Sequence, residues 1–151
     1  MPGGADAPHL SCRNLARQAL ERINCSHRLY AYAGSMHVEK LKYLIWAQDM
    51  ARAVGFYQTV FDAEVARQSE VMAELLIAGS TLGIHSGGEG KRTWTGLSFQ
   101  VGDLFAACNL LSASGGTILR PPKDTPEEPA HLAMCADPEG NEIMLTIPRP
   151  R

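Results

Sequence analysis

An internal repeat constrains this chain more than any other feature. Superimposing Asp103 on Asp49 lays Leu97, Phe99 and Val101 over Tyr43, Ile45 and Ala47, an offset of 54 residues. In the first copy, Lys40 to Gln48 alternates with the two-residue period of a strand, Leu41, Tyr43 and Ile45 on one face and Lys42, Leu44 and Trp46 on the other. Asp49 is a good N-cap, and Met50, Ala53, Val54, Tyr57 and Phe61 then recur at helical spacing. Val65, Val71 to Ala78 and Thr81 to His85 give three more strands. The second copy repeats the order: a helix over Leu104 to Leu111 ending at Gly115-Gly116, strands from Thr117 and His131, and the turn Asp137-Pro138-Glu139-Gly140-Asn141 before Glu142 to Ile147. The closing hairpins superimpose at an offset of 61, the seven extra residues falling in the Pro-rich loop 121–129. Two βαβββ modules follow, at 38–87 and 93–148, an α+β fold in which each sheet has one helix-covered face and one face left over. Two such leftover faces curving together make a cup of the kind that holds small molecules.

Charge and composition narrow the partners. The 151 residues carry 14 Lys and Arg against 16 Asp and Glu, so no basic footprint for nucleic acid exists. No run approaches the roughly 18 apolar residues that a membrane span needs. Cys12, Cys25, Cys108 and Cys135 show neither CxxC spacing nor a framework pattern, which points to reduced thiols in a reducing compartment. Residues 1–37 read as a mobile leader or upstream extension, and 149–151 as a tail. The first 35 residues hold four Arg and two acids, and Leu15, Leu20 and Ile23 lie at loosely helical spacing over 14–23. The expected compartment is cytoplasmic, with a mitochondrial address as the alternative if that Arg-rich leader is a transit peptide.

The run from Tyr43 to Tyr57, with its Asp-x-x-x-Ala-x-x-Phe-Tyr pattern at Asp49, and the Asp137 to Asn141 turn resemble the vicinal-oxygen-chelate superfamily, the glyoxalase, bleomycin-resistance and extradiol-dioxygenase group. The resemblance covers residues 38–148. It implies paired βαβββ modules forming a U-shaped cup, commonly a homodimer, and usually a divalent metal held in the cup by four positions. Carried onto this chain, those positions are Lys42, Gly83, Gly96 and Met144. None is a normal ligand: glycine has no side chain, and an ammonium has no lone pair and repels a cation. The inherited metal site is therefore expected to be dismantled, with no cofactor required.

The cup is then expected to bind a small molecule through Lys42, Trp46, Glu74, His85, Ser98 and Met144. Lys42 would anchor a carboxylate or phosphate, or pair with Glu74; Trp46, like Trp94, would stack on a planar ligand; Met144 would fill the volume of a lost metal. The alternative is a metal-dependent lyase, isomerase or dioxygenase resembling glyoxalase I, in which Glu74, His85 and His131 rebuild a site for Zn²⁺, Ni²⁺, Mn²⁺ or Fe²⁺. Cys108 and Cys135 read as buried small hydrophobes. Gly87 to Arg92 is Gly-rich but lacks the strand-to-helix setting of a phosphate loop, and reads as the inter-module linker.

Overall fold

The computed structural model describes residues 37–127 and 129–148. The chain divides into two compact units, residues 1–40 and Leu41–Arg151. The expected leader helix over 14–23, Cys12, Cys25 and the tail 149–151 lie outside the described residues. Among those described, no helix is long and apolar enough to cross a membrane.

The second unit runs β1 (Tyr43–Ala47), α1 (Met50–Phe61), β2 (Glu64–Gln68), β3 (Met72–Ile77), β4 (Ser80–Ser86), β5 (Thr93–Gln100), α2 (Leu104–Ala113), β6 (Thr117–Arg120), β7 (Leu132–Ala136) and β8 (Asn141–Thr146). The strands form two four-stranded sheets, ordered β1-β4-β3-β2 and β5-β8-β7-β6. In each, the strand before the helix pairs parallel to the last strand, and the remaining pairs are antiparallel. These are the two βαβββ modules that the repeat predicts.

The ladders carry the repeat residue by residue. Tyr43, Leu44 and Ile45 pair with Leu82, Gly83 and Ile84, while Leu97, Ser98 and Phe99 pair with Ile143, Met144 and Leu145, so the offsets of 54 and 61 are both kept. The helix caps match too: the carboxylate of Asp49 accepts the Arg52 amide at 3.0 Å, and that of Asp103 accepts the Ala106 amide at 2.9 Å. Each satisfies an amide that the first helical turn leaves unpaired.

Two local expectations need correction. The first strand opens at Tyr43 instead of Lys40, because its ladder to β4 starts at the Tyr43–Leu82 pair, next to the left-handed Ala78-Gly79 turn where β4 begins. Lys42 thus precedes the strand. In β5 the alternation breaks: Thr93 pairs with Asn141 and Leu97 with Ile143, four residues facing two across a bulge. Gly96 lies in that bulge at φ +72°, a left-handed conformation natural to glycine.

The helix-facing residues of both sheets form one continuous core. Ile45, Leu75 and Ile84 of the first module and Leu111, Cys135, Ile143 and Leu145 of the second are fully buried in it. Phe61 of α1 stacks on Phe99 of β5 with centroids 4.1 Å apart, joining the modules through apolar surface.

Candidate functional site

Alternation leaves the opposite face of the first sheet open. Across β1, β4 and β3, one row holds Leu44, Gly83 and Glu74 and the next Trp46, His85 and Met72. The Trp46 and His85 rings stand 5.5 Å apart, tilted by 44°. A Cβ on Gly83 would lie 2.9 Å from Leu44 Cδ1, so Leu44 covers the glycine. Glu74 gathers the charge: Oε1 accepts from Lys42 Nζ at 2.5 Å and Oε2 faces an Arg67 nitrogen at 3.3 Å. Two cations thus share one carboxylate, and Glu64, opposite Leu76 in the next row, puts a second carboxylate on the same face. Arg67 was not foreseen from sequence, because only the β2–β3 register places it opposite Glu74.

On the second sheet Ser98, Met144 and Met134 form the corresponding row, which makes Ser98 and Met144 neighbours across β5 and β8. Gly96 stands in the bulge, its carbonyl accepting the Tyr43 hydroxyl at 2.7 Å across the β1–β5 seam. The side chains at Lys42, Gly83, Gly96 and Met144 do not fit a divalent cation. Lys42 is bound to Glu74, Leu44 occupies the space over Gly83, and the left-handed backbone at Gly96 would strain any residue with a Cβ.

The alternative set is not assembled. Among the described residues, no three His, Cys, Asp or Glu side chains stand where they could share a metal ion. Glu74 and His85 lie on neighbouring strands of the first sheet, whereas His131 precedes β7 of the second and approaches the Pro129 carbonyl through Nδ1 at 3.3 Å. Separate sheets keep the three apart.

The Asp137 to Asn141 turn, read from sequence only as a turn, is a buried polar joint between the modules. Asp137 accepts the backbone amides of Glu139 and Asn141, the Asn141 side-chain amide and the Tyr57 hydroxyl. Asn141 Nδ2 also donates to the Trp46 carbonyl at 2.8 Å. Glu139 reaches the start of α1, accepting the amides of Gln48 and Asp49 and the Arg52 guanidinium at 2.6 Å. Burial raises the Asp137 carboxyl against the pull of these donors, and burial followed by the Asp137 charge pushes the Tyr57 phenol well above 10.0. Burial acts on Glu139 in the same sense, but Arg52 and the two amides together outweigh it and hold its carboxyl below the ordinary value. The family-like motifs around Asp49 and Asp137 thus meet as an internal brace.

The remaining reactive groups are quiet. Cys108 and Cys135 are buried free thiols, and burial, then the neighbouring Cys108, pushes Cys135 up to about 12. In the linker, Gly88 donates to the Ala47 carbonyl, Lys91 pairs with Glu89 and Arg92 with Glu142, so its cations are held by carboxylates.

Solved structures share this architecture. A glyoxalase/bleomycin resistance protein/dioxygenase family enzyme from Burkholderia phytofirmans aligns at 20% identity and TM-score 0.58, over 70% of this chain and 95% of its own. The genomically encoded fosfomycin resistance protein FosX from Listeria monocytogenes aligns at 19% identity and TM-score 0.62, over 76% and 96%. A glyoxalase I mutant from Zea mays aligns at 18% identity and TM-score 0.57, over 70% of this chain and 45% of its own. At these identities the likeness is one of fold. Comparison with curated protein sequences finds no match. The family model for the Glyoxalase/Bleomycin resistance protein/Dioxygenase superfamily matches residues 37–145, and the chain belongs to that superfamily.

Proposed function

We propose that the protein binds a small organic molecule on the cup face without a resident metal ion, as a homodimer of the kind the family resemblance implies. The observation that supports this most directly is what fills the face: Trp46 against His85, Leu44 over Gly83, and a Lys42–Glu74–Arg67 cluster in place of metal-binding side chains. Half-exposed aromatic and aliphatic groups beside a few fixed charges are what a ligand pocket uses to combine affinity with orientation. Lys42 and Arg67 offer donors to the charged group of a planar, anionic ligand whose ring lies against Trp46.

Two measurements on the full chain test the proposal. Elemental analysis after incubation with Zn²⁺, Ni²⁺, Mn²⁺ and Fe²⁺ should return well under one metal per chain; a stoichiometric value overturns the metal-independent reading. A fluorescent planar anion, 8-anilinonaphthalene-1-sulfonate, should bind saturably to the folded protein and about tenfold more weakly to Trp46→Ala, a loss in the range expected for one aromatic contact. Unchanged binding by that variant removes the cup face as the site.

A further inference from the structure

Seven Lys or Arg side chains fall between Leu41 and Pro148. Five are ion-paired: Lys42 and Arg67 with Glu74, Arg52 with Glu139, Lys91 with Glu89, and Arg92 with Glu142. The other two, Arg120 and Lys123, have no ion-pair partner among the described residues, and both line one cavity of about 330 Å³ together with His131, Pro121 and Leu132. No described carboxylate lines it. The neighbouring Asp124 accepts the Ala130 amide at 3.2 Å, which ties it into the loop.

This cavity lies where the two modules differ. In the first, residues 69–71 join β2 to β3, and Ser69 Oγ closes the turn by accepting the Val71 and Met72 amides. In the second, residues 121–131 join β6 to β7, and the cations stand with His131 at the two ends of that longer connection. A connection extended beyond what chain reversal requires is a common place for a binding function, since it is free of the packing demands on the sheet.

We propose that the cavity binds a small doubly charged oxyanion, either inorganic phosphate or the phosphate of a small phosphomonoester. Arg120 supplies a planar fork of donors suited to two phosphate oxygens, and Lys123 a mobile point charge. His131, whose Nδ1 faces the Pro129 carbonyl, completes the wall with Pro121 and Leu132. A volume of about 330 Å³ exceeds one phosphate and leaves room for a small organic group. Arg120 stands opposite Met134 and Leu132 opposite Thr146, so the cavity lies on the β6–β7 side of the second sheet and uses none of the Trp46, His85, Lys42, Glu74 and Arg67 side chains of the first.

Titration of the isotope-labelled full chain with inorganic phosphate, followed by two-dimensional NMR, tests this. The cross-peaks of Arg120, His131 and Leu132 should shift saturably, and R120A/K123A should bind at least about tenfold more weakly, the change expected for losing charge-assisted hydrogen bonds. K91A, which removes a cation outside the cavity, should bind as the parent does. Glycerol 3-phosphate should move the same peaks: tighter binding than phosphate assigns the site to an ester, and equal or weaker binding to the free anion. Sodium chloride at matched ionic strength reproducing the shifts, R120A/K123A binding like the parent, or no saturable shift with either anion would overturn the proposal. Retention of the resonances of β1 and α1 in R120A/K123A shows that the variant is folded.

Discussion

The Tyr57 hydroxyl, on a helix of the first module, donates a 3.0 Å hydrogen bond to the carboxylate of Asp137 in the second, 80 residues away and buried from solvent. Asp137 takes three further donors from Glu139 and Asn141, so one carboxylate organises the turn and its contact with α1. Tyr57→Phe removes one donor of four and should cost about 1 kcal/mol. Asp137→Ala orphans the phenol and two buried amides and should cost about 3 kcal/mol or more. Urea unfolding of both variants checks the order; an equal loss would mean that Asp137 is not the organising acceptor.

Glu139 should make stability acid-sensitive. Its folded carboxyl titrates below 4.5, so the native state favours the ionised form. That contribution is complete above the unfolded value and is lost as pH falls through the folded one. Asp137, raised by burial, acts in the opposite sense. Glu139→Gln should lower stability near neutral pH by about 2 kcal/mol and flatten the fall as pH drops below 4.5. Thermal midpoints of parent and variant, measured from neutral pH down into the acid range, decide it.

Thr81 is 4% exposed, and its Oγ1 is a buried side-chain polar atom with no partner among the described residues. Replacing such a hydroxyl with a methyl of similar size removes a desolvation penalty, so Thr81→Val should raise stability by about 1 kcal/mol. A lower unfolding midpoint in denaturant would show that the hydroxyl is bonded after all.

Two glycines should respond oppositely to alanine. Gly140 has φ +90°, and a Cβ there would stand 2.5 Å from the Lys91 carbonyl oxygen, so Gly140→Ala should destabilise by about 2 kcal/mol or more. Gly55 lies inside α1, where an added Cβ would meet nothing within 4 Å, so Gly55→Ala should stabilise by about 0.5–1 kcal/mol. Calorimetric unfolding of the pair reads both signs in one experiment.

The repeat, the order of elements and the capping residues were legible because they are local. Asp49 and Asp103 cap whatever helix follows them, and the alternation in Leu44-Ile45-Trp46 assigns faces before any partner strand is known. The failure of Gly83 and Gly96 as metal ligands was equally plain, since a residue without a side chain cannot coordinate through one. The irregular start of β5 was hidden, because a bulge exists only relative to the strand opposite, here in the spacing from Thr93–Asn141 to Leu97–Ile143. Arg67 on Glu74, Glu139 at the start of α1 and Tyr57 on Asp137 likewise join residues whose meeting depends on register or on module docking. Sequence by itself determined that two βαβββ modules form, because that follows from short-range periodicity, and that the four positions named by the family resemblance lack metal-binding side chains, because that follows from residue identity alone. Only the tertiary structure decided which charges are paired and which, at Arg120 and Lys123, have no ion-pair partner among the described residues, because pairing is a distance between residues that the chain order does not fix.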